Sequence, residues 1–149
     1  MKFIKTFFSI IGAHLALCLV PIIFSPILND NPSYNVSGAQ GVGQKVLFII
    51  FALVLFAAYI FVGRVVKSKG GSRLGVVLSS AVIFLIGMAV YVFVFISKTE
   101  NPAGMIFAMP QIIMMRAIYR YMIAYAWSSV IGMALPFVGI LIGYFTKKE

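Results

Sequence analysis

The fold class follows most directly from Val46–Val62, VLFIIFALVLFAAYIFV, an apolar run that lies between Lys45 and Arg64. A helix needs about 20 predominantly apolar residues to cross a hydrocarbon core about 30 Å thick. No charged side chain interrupts the run, and it is rich in Phe, Leu, Val and Ala. The run therefore predicts a transmembrane helix over approximately residues 46–63.

Three further segments have the same character and are separated from this one by polar or basic stretches. They cover approximately residues 6–28, 74–96 and 121–145. Pro21 and Pro26 lie in the first, where the missing backbone N–H predicts a bent or unwound outer third. The expected fold is all-α: a polytopic membrane protein with a bundle of four transmembrane helices, formed by a single domain over residues 1–149.

Composition supports a lipid environment and argues against a soluble protein. Hydrophobic residues make up 62% of the chain and charged residues only 10%, against about 25% charged in a typical soluble domain. The net charge is +9, but the basic residues flank apolar runs and form no continuous basic face. They therefore indicate contact with anionic headgroups, and nucleic acid is not an expected partner.

Residues 103–116 are apolar but too short to be a fifth span, and they contain Pro110. A segment of this length suits an interfacial helix on the membrane surface or a re-entrant helix. The sequence leaves these two alternatives open.

The distribution of basic residues predicts the orientation, because cytoplasmic loops are enriched in Lys and Arg. One side of the predicted membrane collects Lys2, Lys5, Arg64, Lys67, Lys69, Arg73, Lys147 and Lys148. The other side has Lys45, Lys98, Arg116 and Arg120. We therefore expect both termini in the cytoplasm, and the composition favours the plasma (inner) membrane of a bacterium.

His14 is the one ionisable side chain predicted well inside a span. At about 1.5 Å per residue it lies roughly 13 Å deeper than Lys5, which makes it a candidate ligand contact or proton relay. The alternative, which we favour, is a neutral imidazole that bonds to a neighbouring helix, with Ser79, Ser80 or Tyr91 as partner. His14 and Cys18 share a helix face but do not make a metal-ligand set, so no metal or cofactor is expected.

Arg116 and Arg120 form the second candidate site, with Tyr119 beside them. The spacing of four residues places both guanidinium groups on one face of a helix. Guanidinium matches phosphate geometry, so an anionic lipid or substrate group is one possible ligand. Simple anchoring at the membrane surface is the alternative, and we favour it.

The last span carries a stripe of small residues, which permit close approach of a second helix. They are Ala124, Ser128, Gly132, Gly139 and Gly143. The stripe predicts a helix–helix interface, either within the bundle or with another protein or a second copy of the chain.

No enzymatic site is apparent, and we do not expect an enzyme. The three acids, Asp30, Glu100 and Glu149, lie in predicted loops or at the terminus, with no histidine beside them. Two classes of function are favoured, and a membrane-embedded transferase stays open as a third. The more favoured of the two is a small interaction protein, an accessory, assembly or protective subunit of a larger membrane complex. The other is a small oligomeric transporter, channel or lipid-handling membrane protein.

Overall fold

The computed structural model describes residues 2–28, 42–93, 102–119 and 125–147, which are almost wholly helical. The helices are α1 (Lys2–Leu28), α2 (Val42–Ser68), α3 (Arg73–Tyr91), α4 (Pro102–Phe107), α5 (Met109–Tyr119) and α6 (Tyr125–Thr146). α1, α2, α3 and α6 are long and apolar enough to cross a membrane. The predicted all-α fold with four such helices is confirmed.

Two local predictions are wrong. α2 does not end at Gly63 but continues through Arg64 to Ser68, because Arg and Lys are good helix formers and no proline or further glycine lies between Gly63 and Gly70. The turn itself is short, and Gly70 adopts a positive φ of 67° that favours glycine. α1 is also not unwound but remains helical through Pro21 to Leu28, since a proline removes only one backbone donor from an otherwise bonded helix; the bend expected there stays a prediction.

One end of the bundle gathers most of the described basic residues, and the turn between α2 and α3 is fixed there from two sides. The Ser72 backbone N–H donates to Thr6 Oγ1 of α1 at 3.0 Å. The Tyr144 hydroxyl of α6 donates to the Gly71 carbonyl at 2.7 Å. These bonds place the start of α1, the end of α2, the start of α3 and the end of α6 together, and we call this the basic end.

α2 and α6 pack with their backbones in contact. A Cβ atom added to Gly143 would collide with the Ile60 carbonyl oxygen, and one added to Gly63 would collide with the Ile140 carbonyl oxygen. Glycine is required on both sides because no side chain fits between the two helices at this crossing.

α5 lies inside the bundle, whereas α4 is partly exposed, with Ile106 45% exposed. Ala108, Met114 and Gln111 have no exposed surface, and α5 packs against α6, α2 and α1. The helix is interrupted at Ala108, two residues before Pro110, which cannot donate a backbone hydrogen bond.

Candidate functional site

The helix interruption at Ala108 is the centre of a buried polar cluster. The Phe107 carbonyl oxygen accepts two hydrogen bonds from α1, one from His14 Nε2 at 3.0 Å and one from Cys18 Sγ at 3.1 Å. The spacing of His14 and Cys18 places both on the face of α1 that meets the interruption. α1 therefore satisfies a carbonyl group at the point where the α4–α5 segment is not regular helix.

The hydrogen bonds of His14 define its tautomer. A carbonyl oxygen can only accept, so Nε2 carries the proton and Nδ1 is the acceptor. Nδ1 then accepts from the Tyr59 hydroxyl of α2 at 2.7 Å. Both ring nitrogens are satisfied by neutral groups, and His14 is 1% exposed, so the ring joins α1, α2 and the α4–α5 segment.

The partner of His14 is not one of the serines named from the sequence. Ser79 donates to the Gly75 carbonyl and Ser80 to the Val76 carbonyl, both within α3. Tyr59 was not identified because it lies in an apolar run whose register against α1 cannot be read from the sequence.

Gln111 is a second buried polar group in this region, and sequence reasoning missed it. Its side chain is fully buried, and among the described residues neither Nε2 nor Oε1 has a hydrogen-bond partner. Gly87 of α3 makes room for it, since a Cβ at that position would lie 3.2 Å from Gln111 Nε2. One feature of the sequence could have identified Gln111: it is the one residue with a carboxamide side chain within the predicted apolar segments.

The arginine site predicted from the sequence lies only partly within the described residues. Arg116 is half-buried near the end of α5. Tyr119 is the last residue of α5, with its side chain outside the described part, and Arg120 is outside it altogether. Whether this site binds a ligand therefore stays a prediction.

The small residues of the last span face the interior of the chain. Gly143 and Gly139 lie against Ile60, Phe56 and Tyr59 of α2, and Gly132 lies against Met115 of α5. Ser128 is buried, and Ala124 is outside the described residues. The three glycines therefore form helix–helix contacts inside the bundle, and a separate protein would have to dock elsewhere.

The basic end contains a groove between α1 and α2 with a volume of about 440 Å³, here called the α1/α2 groove. Its polar rim has three lysines and two hydroxyl side chains, and its wall is apolar. The residues are Lys2, Lys5, Thr6, Ser9, Ala13, Phe61, Val62, Val65, Val66, Lys69, Gly70 and Gly71. This combination of ammonium groups above an apolar wall matches a lipid with an anionic headgroup.

Internal contacts fix the rim of the α1/α2 groove. The Thr6 hydroxyl donates to the Lys2 carbonyl at 2.9 Å and accepts from Ser72, so it connects α1 to the turn that follows Lys69. Gly75 of α3 is in close contact with α1, since a Cβ there would lie 2.9 Å from Thr6 Cβ. The backbone that carries the lysines is thus held in place by the fold.

A contact with Tyr144 directs the side chain of Lys67 away from the α1/α2 groove. Its ammonium group lies over the Tyr144 ring, 5.5 Å from the centroid, which is a cation–π geometry. Lys67 is therefore directed towards α6, whereas Lys69 lines the α1/α2 groove.

Comparison with protein families, characterised proteins and solved structures found no match to this chain.

Proposed function

We propose that this chain is a multi-pass membrane protein that handles lipid, and that its α1/α2 groove binds an anionic phospholipid at the cytoplasmic surface. The observation that carries the proposal is the position of Lys2, Lys5 and Lys69 around a groove whose wall is formed by Ala13, Phe61 and Val62. Ammonium groups attract the headgroup phosphate, and the apolar wall contacts the upper part of an acyl chain.

The outer surface of the bundle supports membrane insertion. Large apolar side chains are exposed on the long helices, including Phe8 of α1, Leu53 of α2 and Leu85 of α3, each more than 60% exposed. An apolar surface on every long helix would aggregate in water, but it is the expected surface in lipid.

The clustering of basic residues at one end supports the predicted orientation, with both termini in the cytoplasm. Lys2, Lys69, Arg73 and Lys147 lie near the ends of the four long helices that meet there. In the plasma membrane of a bacterium this end would face the anionic lipids of the inner leaflet.

The α4–α5 segment is best explained as a re-entrant element rather than an interfacial helix. An interfacial helix keeps a polar face in water, whereas Ala108 and Gln111–Met115 are buried. The interruption at Ala108 follows Phe107, whose carbonyl bonds to His14, and non-helical backbone at such depth is tolerated only where protein surrounds it.

An accessory subunit of a membrane complex is the second candidate function, but the glycine stripe does not favour it. Gly132, Gly139 and Gly143 pack inside the chain, so a membrane partner would need another face. Lipid handling is preferred because the α1/α2 groove offers a specific ligand chemistry.

The test is native mass spectrometry of the detergent-solubilised protein with phosphatidylglycerol and phosphatidylcholine of the same acyl chains. We expect selective retention of the anionic lipid, with at least a tenfold loss in a Lys5→Gln/Lys69→Gln variant. Arg73→Gln removes an exposed charge at the same end but outside the groove lining, and its retention of lipid should match the wild type.

Equal retention of the two lipids, or equal loss in both variants, would contradict the proposal. A stoichiometric protein partner without lipid would support the accessory subunit instead.

A further inference from the structure

A second groove lies on the other side of α2 at the basic end, between α2 and α6, and is here called the α2/α6 groove. It is lined by Phe61, Arg64, Val65, Ser68, Thr146 and Lys147, with a volume of about 510 Å³. Phe61 and Val65 line both grooves. The two grooves are therefore neighbours, separated by a narrow ridge of α2 side chains.

We propose that the two grooves together bind one lipid that carries two phosphodiester groups joined by a short linker and four acyl chains. The proposal rests on the proposed function and names its ligand class. One phosphate lies in the α1/α2 groove near Lys5 and Lys69, and the other lies in the α2/α6 groove near Arg64 and Lys147. The linker crosses α2 near Val65, and the acyl chains descend on both sides of Phe61.

The charges on the two sides of the ridge support a ligand with two anionic groups. Lys2, Lys5 and Lys69 line one groove, and Arg64 and Lys147 line the other. Among the described residues, neither lining contains an acidic side chain. A single phosphate in either groove would leave the cations of the other without an anionic partner from the same lipid.

The hydroxyl groups of the α2/α6 groove are already used as donors within their own helices. Ser68 donates to the Arg64 carbonyl at 3.0 Å, and Thr146 donates to the Ile142 carbonyl at 2.6 Å. Phosphate binding in this groove therefore depends on the guanidinium of Arg64, whose planar set of donors suits phosphate oxygens, and on the ammonium of Lys147.

The ridge is shaped to lie between the acyl chains of one lipid. Phe61 is 66% exposed and stands two helical turns from the end of α2, below the cations of both grooves. Val65, one turn closer to the basic end, is only half-exposed. The ridge is thus less exposed where the linker has to cross and more exposed where chains can pack on both sides.

Linking two phosphates changes the energetics of binding. Once one phosphate is bound, the second is present at a high local concentration, which can raise overall affinity by about 10²–10⁴-fold without a new type of contact. Two separate one-phosphate lipids, one in each groove, would lack this gain and bind independently.

The experiment compares a two-phosphate, four-chain lipid (cardiolipin) with a one-phosphate, two-chain lipid (phosphatidylglycerol) supplied at twice the molar amount, by native mass spectrometry. The variants are Lys69→Gln in one groove, Arg64→Gln in the other and the double variant, with Arg73→Gln as the control. Circular dichroism melting of each variant shows that it is folded.

We expect the wild-type protein to prefer the two-phosphate lipid by about tenfold or more. Each single variant should lose most of this preference, and the double variant should lose little beyond either single one. Arg64→Gln should leave the binding of the one-phosphate lipid in the α1/α2 groove unchanged.

Two outcomes overturn the inference in distinguishable ways. Binding of two one-phosphate lipids, with independent effects of the two variants and no preference for the linked lipid, refutes bridging and leaves the proposed function intact. Failure to retain either anionic lipid refutes the inference and the proposed function together.

Discussion

The α2–α6 crossing gives the sharpest stability prediction, which is that Gly143→Ala destabilises the bundle. The added Cβ would lie 2.7 Å from the Ile60 carbonyl carbon and closer still to its oxygen. Ordinary contact begins near 3.4 Å, so the two backbones must separate by about 0.7 Å or more. Neither helix can avoid this by rotating a side chain, because the colliding atoms are backbone.

The cost of this separation can be compared with the gain that alanine brings. A gap of 0.5–1 Å forfeits about a quarter to a half of the dispersion energy of each contact, and overpacking of a tight interior costs about 1–3 kcal/mol. Replacing a helical glycine by alanine returns about 1 kcal/mol of helix propensity. The expected net effect is a destabilisation of roughly 0–2 kcal/mol, towards the upper end because the clash is with backbone.

The matched control is Gly12→Ala in α1. Gly12 has no atom within 4 Å of the position of an added Cβ, so only the propensity gain of up to about 1 kcal/mol remains. The two alanine variants should therefore change stability in opposite directions. A Gly63→Ala/Gly143→Ala double variant should cost less than the sum of the singles, because one separation of the helices relieves both clashes.

The assay uses the single cysteine of the chain. Cys18 is 1% exposed, so a maleimide dye labels it only when the bundle opens, and labelling against temperature gives a melting midpoint. Circular dichroism provides an independent midpoint for each variant. A Gly143→Ala midpoint equal to or above that of the wild type would refute the backbone contact between α2 and α6.

Two further predictions concern the buried polar residues. Tyr59→Phe should destabilise the bundle by about 1–3 kcal/mol, because it leaves His14 Nδ1 buried without a donor; an unchanged circular dichroism midpoint would contradict the hydrogen bond. Gln111→Leu should stabilise the bundle by about 1–3 kcal/mol, since it replaces an unpartnered amide with an apolar group of similar size; a lower midpoint would show that the amide has a partner.

The apolar spans could be predicted from the sequence because length and hydropathy are local properties. Val46–Val62 has no charge and is long enough to cross a bilayer, and the structure has a long helix there. Helix ends were harder to predict. Arg64 marks a change in composition, but a helix can continue past a charge, and α2 ends only where Gly70 reverses the chain.

The polar centre could not be predicted because its partners are distant in the chain. His14 was identified as buried, but its bond to the Phe107 carbonyl depends on a helix interruption that leaves no side-chain signature. The glycine stripe was identified on the correct helix, whereas its packing against α2 was not, because contact within a chain and contact between chains require the same small residues. From the sequence, the lysines of the α1/α2 groove indicated only the orientation of the helices in the membrane. A count of charges does not show that these lysines surround a groove.

The most direct test of the lipid-binding claim is photocrosslinking in nanodiscs with an anionic phospholipid that carries a diazirine near the top of one acyl chain. We expect preferential labelling of peptides that contain Ala13 and Phe61, with labelling reduced by Lys5→Gln/Lys69→Gln and unchanged by Arg73→Gln. Labelling that is no stronger there than around Leu85, an exposed residue of α3 away from the groove, would contradict a specific lipid site.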